Sequence, residues 1–252
     1  MELMSIEVAS CSDKGLVREV NEDSLAAMPD YGLVIVADGM GGYNAGDVAS
    51  QIAVETIAMT LLPQLGMEAE ISLADTVAAA NDTIIASIEA EPQYSGMATT
   101  VVLGVFGAGT LHYAHVGDSR LYRLRGGRLE QLTRDHSMIQ ELVDQGMFDS
   151  LEEAQEAGVH NNVLTRGLGI DEQVEIDTAE TGIEEGDLYL FCSDGLSNMV
   201  TVQTMEEVLG STADSIDSAA QKLLAIALEN GGTDNISLVL VRPLFDGLAQ
   251  DE

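Results

Sequence analysis

Residues 111–132 read LHYAHVGDSRLYRLRGGRLEQL. Two apolar stretches within it, Leu121–Leu124 and Leu129–Leu132, are separated only by Arg125, Gly126, Gly127 and Arg128. Paired glycines in so short a connection supply the positive φ that tight hairpins demand, so the flanking stretches are expected to pair antiparallel. Working outward, short runs rich in Val, Ile and Leu predict strands at Gly32–Ala37, Thr99–Phe106, Leu111–Val116, Leu188–Cys192 and Ile236–Val241. Longer stretches with apolar residues every three or four positions predict helices at Ala45–Leu62, Ser72–Ala90 and Ser215–Glu229. The resulting order is strand, two helices, a run of strands, then strand and helix again. It lacks the regular alternation of a doubly wound parallel sheet and points to packed antiparallel sheets covered by helices.

Between His136 and Arg166 the chain is polar and helix-prone, with Ser150 placed to cap a helix in DSLEEAQEAG; this reads as an inserted flap over about 138–165. The apolar pattern fades after Arg242, so residues 1–242 are read as one domain and 243–252 as a short acidic tail.

Composition narrows the function. A chain of 252 residues can bury one substantial core, and 46% apolar with 21% charged residues is a globular balance. The start, MELMSIEVASCSDKG, lacks the basic-then-apolar pattern of a leader, and no apolar segment is expected to reach the roughly 18 residues of a membrane helix. Cys11 and Cys192 are too few for a disulfide framework; two buried free thiols in a reducing cytoplasm are expected. A net charge of −33 disfavours nucleic acid, nucleotides and anionic membranes as partners, and mildly favours a monomer.

The informative carboxylates stand where apolar strands run out into turns. Leu33–Ala37 leads into Asp38, Gly39, Met40, Gly41 and Gly42; His115 and Val116 lead into Gly117, Asp118 and Ser119. Leu188–Cys192 leads through Ser193 into Asp194 and Gly195, and Gly231–Thr233 precedes Asp234 and Asn235. Each aspartate alone is either a turn residue or a ligand. Two carboxylates about 4 Å apart repel by roughly 4 kcal/mol at an effective dielectric near 20, so four at strand ends call for compensation. Hard divalent cations, which prefer carboxylate and carbonyl oxygen, supply it.

These segments carry a resemblance. Arg18-Glu19-Val20-Asn21-Glu22-Asp23, Asp38–Gly42, SGMATT at 95–100, Gly117–Arg120, LTRGLG at 164–169, Ser193–Gly195 and Gly232–Asn235 together resemble the metal-dependent protein phosphatases of type 2C, in that family's order, over Arg18 to Val241. The resemblance implies an α+β fold: a four-layer αββα sandwich of two antiparallel sheets flanked by helices, with the metal site at one end. It implies a serine/threonine protein phosphatase, of the stand-alone bacterial kind, that uses Mn2+ or Mg2+. Carried over, Asp38 bridges two ions, the Gly39 carbonyl binds one, Asp194 and Asp234 complete the other, and Glu22 and Asp23 hold ions or their waters. Asp118, with Asp194, matches the site of a third, looser ion. Hydroxide between the ions attacks phosphorus directly, and Arg18 clamps the phosphate, a guanidinium presenting paired donors to its oxygens. Phosphorylated proteins that are targets of a serine/threonine kinase are the implied partners.

Met40 departs from the family pattern, in which many members carry a histidine able to protonate the leaving group. His160 in the flap is the candidate general acid, while His115 and His136 read as structural. The glycines after Asp38 fit no nucleotide-binding loop, since no Gly-Lys-Ser or Gly-Lys-Thr follows and Asn44 stands where a third glycine is needed. A non-catalytic module sensing metal or a partner on the same fold is the rival reading.

Overall fold

A computed structural model describes residues 3–41, 45–65, 71–159, 163–211 and 215–245 of the chain. The chain begins with β1 (Leu3–Asp13), β2 (Asp23–Met28) and β3 (Leu33–Met40), followed by the helices α1 (Gly46–Leu65) and α2 (Leu73–Ala90). Strands β4 (Ala98–Thr99), β5 (Val101–Gly107), β6 (Thr110–Val116), β7 (Arg120–Arg125) and β8 (Arg128–Gln131) come next. The flap holds α3 (Met138–Asp144) and α4 (Leu151–Glu156), and β9 (Asp177–Gly182) and β10 (Leu188–Cys192) return to the body. The chain closes with α5 (Asp194–Ser197), α6 (Val202–Gly210), α7 (Ile216–Glu229) and β11 (Ile236–Phe245).

One sheet has the order β1-β11-β10-β7-β8, and the other β2-β3-β5-β6-β9 with β4 paired to β3. All these strand pairings are antiparallel. The hairpin at 121–132 forms with Arg125 opposite Arg128, and Gly126 and Gly127 adopt φ of 58° and 81°. The expected αββα sandwich is therefore present.

Why the central strands read as unbroken apolar runs follows from their burial on both faces. In β3, Leu33, Ile35 and Ala37 pack toward α1 and α2, whereas Val34 and Val36 join the layer between the sheets. In β10, Leu190 and Cys192 face the α6–α7 side, while Tyr189 and Phe191 enter the inter-sheet layer and meet Phe106 edge-on at 5.3 and 6.2 Å. Each such aromatic contact contributes about 1 kcal/mol beyond its area. Cys11 and Cys192 are free buried thiols, as expected.

The helices begin where hydroxyls cap them: Ser72, Ser137, Ser150, Thr201 and Ser215 each accept a backbone N–H from the first turn. Helix α1 is long and apolar enough, by length and composition, to pass for a membrane span, contrary to the expectation that no apolar segment reaches that length. Its residues Ala49, Ala53, Ile57 and Leu61 are instead buried in the cluster shared with β3 and α2.

One boundary differs from expectation. Strand β11 continues past Val241 to Phe245, pairing Pro243 with Ile6 and Leu244 with Ser5, so part of the expected tail is strand. Proline fits there because β10 pairs only as far as Val241, leaving Pro243 with β1 alone. Strands β1, β2 and β9, and helices α5 and α6, are additional to the elements expected.

Candidate active site

The four strand-end aspartates converge at one end of the sandwich. A cavity of 210 Å³ is lined by Arg18, Glu22, Asp38, Gly39, Met40, Thr100, Asp118, Leu164, Asp194 and Asp234. Hollows of 710 and 540 Å³ lie elsewhere, but neither gathers so many carboxylates; charge rather than size marks the site. Asp23 lies beneath the cavity rather than on its wall, buried and bonded through Oδ2 to the Ser193 hydroxyl at 2.8 Å. Gly42 and His160 fall outside the described residues, so the structure gives the expected acid no position.

Asp38 is held from three directions by the SGMATT segment. Its N–H donates to Thr100 Oγ1 at 3.1 Å, and its carbonyl accepts from Thr99 Oγ1 and from the Thr100 N–H, both at 2.9 Å. Thr100 in turn shares a 2.7 Å bond with Ser119, which ties the Asp38 strand to the Asp118 turn. Gly39 is required by close approach: a Cβ there would meet the Gly46 carbonyl oxygen at 2.1 Å and that of Glu22 at 2.4 Å.

The opposite wall is organised by Asn235. Its Nδ2 donates to the carbonyls of Lys14 and Val20 at 3.0 and 2.9 Å, and its Oδ1 accepts the Glu22 N–H at 2.8 Å. These bonds strap the 14–22 loop, which carries Arg18 and Glu22, against the turn that carries Asp234. Arg18 Nη2 then donates to Asp234 Oδ2 at 2.8 Å with half its side chain still exposed. Glu22 Oε1 accepts the Gly46 N–H at the start of α1, at 3.2 Å. Asn198 donates to Asp194 Oδ2 at 3.0 Å. Ser193 is fully buried, donating to Asp23 and accepting the Ser237 N–H at 3.0 Å, so its hydroxyl is a strut.

The electrostatics expose a deficit of positive charge. Burial, then repulsion by Asp23, Asp194, Asp118 and Asp234, drives the Asp38 carboxyl well above its ordinary range. Asp23 and Asp118 are each pushed up to about 7, burial being the main cause and neighbouring aspartates adding to it. Asp194 and Glu22 shift upward too, again mainly through burial. Oδ1 of Asp23 is buried without a hydrogen-bond partner. Buried carboxylates in such number, with one guanidinium among them, are a donor set for hard divalent cations, so the residues present fit Mn2+ or Mg2+.

Thr99, Thr100 and Asn235 stand within the motifs that carry the resemblance, but the motifs alone give them no role. Asn235 had a signal, a polar residue directly beside a strand-end aspartate, whereas Thr99 and Thr100 stand 61 and 62 residues from Asp38 and had none. Arg120, of the Gly117–Arg120 segment, does not line the cavity but turns to Asp135, which it grips with Nε and Nη2 at 2.6–3.0 Å.

Comparison with known proteins agrees with this geometry. The family model of Protein phosphatase 2C matches residues 10–229. The serine/threonine protein phosphatase PstP of Mycobacterium tuberculosis is 38% identical over 237 residues, covering 93% of this chain and 44% of its own length. The serine/threonine phosphatase stp of Listeria monocytogenes is also 38% identical over 237 residues, covering 91% of this chain and 93% of its own. This chain thus spans less than half of the mycobacterial protein it matches and nearly all of the listerial one. A crystal structure of the PstP catalytic domain, in complex with two manganese ions, superposes with a TM-score of 0.83 at 36% identity, covering 96% of this chain and 99% of that one.

Proposed function

Because this chain belongs to the protein phosphatase 2C family, we propose that it is a Mn2+- or Mg2+-dependent phosphatase that hydrolyses phosphoserine and phosphothreonine in proteins. The observation that carries this reading is the meeting of Asp38, Asp118, Asp194 and Asp234 with Arg18 in one 210 Å³ cavity.

Asp38, Gly39, Asp194 and Asp234 are assigned to two ions, Glu22 and Asp23 to the ions or their waters, and Asp118 with Asp194 to a third. Divalent ions bound there supply Lewis acidity toward a phosphoryl oxygen and lower the pKa of the attacking water. Arg18 binds the phosphate: Asp234 holds one edge of its guanidinium, and the exposed half presents the remaining donors. Thr99 and Thr100 fix Asp38, and Asn235 fixes the loop that delivers Arg18. No side chain serves as nucleophile. Ser193 is fully buried, the Cys192 thiol is buried and pushed up to about 12, and Thr100 Oγ1 is engaged by Asp38 and Ser119. Met40, which lines the cavity, has no proton to give, and no histidine lines it among the described residues. The leaving group is then protonated by solvent or by His160 of the flap.

Phosphoproteins modified by a serine/threonine kinase are the assigned substrates, recognised by the surface around the cavity and by the flap. A cytoplasmic monomer that leaves nucleic acids and membranes alone fits the two free thiols and the net charge of −33. The test is hydrolysis of a phosphothreonine peptide and of p-nitrophenyl phosphate, with Mn2+ titrated against a chelator, for the wild type and Asp38→Asn. Metal-dependent release that the substitution abolishes is expected; no release from either substrate would favour the metal-sensing module instead.

A further inference from the structure

His136 lies outside the cavity, buried at the root of the flap, and it grips one residue twice. Its N–H donates to the Gly117 carbonyl at 3.0 Å, and its ring Nδ1 accepts the Gly117 N–H at 3.1 Å. Gly117 directly precedes Asp118 and has φ of 101°, and a Cβ on it would meet Thr100 at 2.6 Å. The turn that presents Asp118 is thus pressed against the residue that fixes Asp38 and clamped from behind by His136.

The same residue closes the flap. The Thr165 N–H donates to the His136 carbonyl at 2.9 Å, Met138 N–H donates to the Val163 carbonyl at 2.8 Å, and Ser137 bridges to Leu164. The outgoing and returning stems of the flap therefore meet at His136. The ring is steadied by stacking on His115 at 4.7 Å and 22°. Its Nε2 lies 3.4 Å from Asp177 Oδ2 on β9, and Arg166 Nη1 reaches Asp177 Oδ1 at 3.0 Å.

We propose that His136 is a positioning residue: it sets the Gly117–Asp118 turn for ion binding and ties that setting to both stems of the flap. The inference rests on the reading of Asp118 as a ligand. It predicts the ring's chemistry. Because the Gly117 N–H points at Nδ1, that nitrogen is unprotonated and the single proton sits on Nε2, toward Asp177 Oδ2; the 3.3 Å approach of Arg166 Nη1 to Nε2 is then a contact of two donors that share Asp177 as acceptor, not a hydrogen bond. Burial, His115 and Arg166 hold the ring below the usual histidine range, against the opposing pull of Asp177, so Nδ1 remains an acceptor at neutral pH.

His115, His136 and Asp177 place donor atoms within 4.8 Å of one another, as in a metal site. An ion on His136 Nε2, however, would send the ring proton to Nδ1, against the Gly117 N–H, and would face the Arg166 guanidinium, whose Nη1 lies 3.3 Å from Nε2. Positioning is the chemistry this cluster supports.

Asparagine places its amide oxygen where Nδ1 stands, whereas glutamine reaches the position of Nε2. Isothermal titration with Mn2+ should therefore show His136→Gln weakening the loosest ion-binding step about tenfold, the scale of outer-sphere losses at metal sites. In His136→Asn the loss should be under about threefold, with the Gly117 amide still protected from hydrogen exchange. Equal loss in both variants would make the residue a packing element and overturn the inference, as would unchanged Mn2+ binding in a folded His136→Gln. Nitrogen-15 spectra of histidine in the unsubstituted protein test the same point without mutation: a protonated Nδ1 on His136 overturns it. Asp118→Asn separates the two levels. If Asp118→Asn leaves every Mn2+ step intact, the reading of Asp118 fails; if it removes a step that His136→Gln keeps, only the positioning role fails.

Discussion

Asp23 and Asp38 are direct cross-strand partners in the β2–β3 pairing. Like charges opposite one another on paired strands are destabilising, and here both carboxyls are buried. The metal-free protein therefore carries a local penalty that Asp38→Asn relieves. At pH 8 and with a chelator present, that variant should be more stable than the wild type by on the order of 1–3 kcal/mol, while failing to bind Mn2+ or release phosphate. Urea titration with and without Mn2+ checks this; a metal-free variant less stable than the wild type would contradict it.

The same carboxyls fix a pH dependence. Asp23 and Asp118 rise in the folded metal-free protein from an ordinary 3.8 to about 7. Between those values the folded state binds more protons than the unfolded one. Stability is fully present below the unfolded value and is lost as pH rises through about 7. Chelated protein should thus have a lower urea midpoint at pH 8 than at pH 5, by the equivalent of a few kcal/mol. Saturating Mn2+ should abolish or reverse the slope, because ion binding requires the deprotonated groups. A chelated protein equally stable at both pH values would mean that neither burial nor mutual repulsion raises these carboxyls.

How much of this was legible in the sequence depended on which side of a residue was buried. Strands β3, β5, β6, β10 and β11 lie inside their sheets and are covered on both faces, so their apolar runs announced them. Strands β1, β2 and β9 are edges, and β9 reads Asp-Thr-Ala-Glu-Thr-Gly with no buried residue, so nothing in its pattern distinguishes it from a loop. Helix α6 was legible in principle, from the Thr201 cap and the spacing of Met205, Val208 and Leu209. Asp38, Asp118, Asp194 and Asp234 stood out as charges at apolar strand ends, and the cavity brings them together. The burial of Asp23 behind Ser193 and the double grip of His136 on Gly117 were not legible, since both depend on the packing of residues far apart in the chain.

Thr100 offers a sharper test of the support beneath Asp38. Thr100→Val preserves shape but removes the acceptor of the Asp38 N–H and the partner of Ser119. An orphaned buried donor costs about 1–3 kcal/mol, so stability should fall by that amount. Phosphate release should also drop about tenfold, because the Asp38 backbone loses a fixed point. Release at wild-type rates from a destabilised Thr100→Val would show that Asp38 is positioned without it.

Asp187 tests the opposite end of β10. It accepts Arg125 Nε and Nη2 at 2.7 and 2.6 Å, the Tyr189 hydroxyl at 3.0 Å and the Glu184 N–H at 2.8 Å. Burial works to raise its carboxyl, but the bonds to Arg125, Glu184 and Tyr189 hold it below the usual range. Its stabilisation is accordingly present above the unfolded value and lost as pH falls through the folded one. Asp187→Ala should cost about 3 kcal/mol at pH 7 and flatten the acid limb of the stability curve. Mn2+ affinity should not change; a loss of ion binding would reveal a coupling along β10 that the geometry does not contain.

Substrate choice is expected to reside in the flap over 138–165. A groove of 740 Å³ shares Asp118 and Asp194 with the 210 Å³ cavity and runs between Ile139, Leu151 and Gln155 of the 138–165 segment and Asn198, Thr201 and Gln203 of the body. A phosphoresidue in the cavity would leave its neighbouring residues in this groove, where p-nitrophenyl phosphate has nothing to place. Exchanging residues 138–165 for those of a family member with a different flap should therefore shift the ranking of phosphopeptides by about tenfold, roughly 1.4 kcal/mol, while p-nitrophenyl phosphate turnover changes by less than about twofold. With Leu164 of the cavity wall retained in the exchange, and with His136 and Arg166 in place, Met138, Val163 and Thr165 still join the stems through backbone atoms, so the Asp118 turn keeps its clamp. Equal loss on both substrates would mean that the flap serves the ion site rather than the peptide.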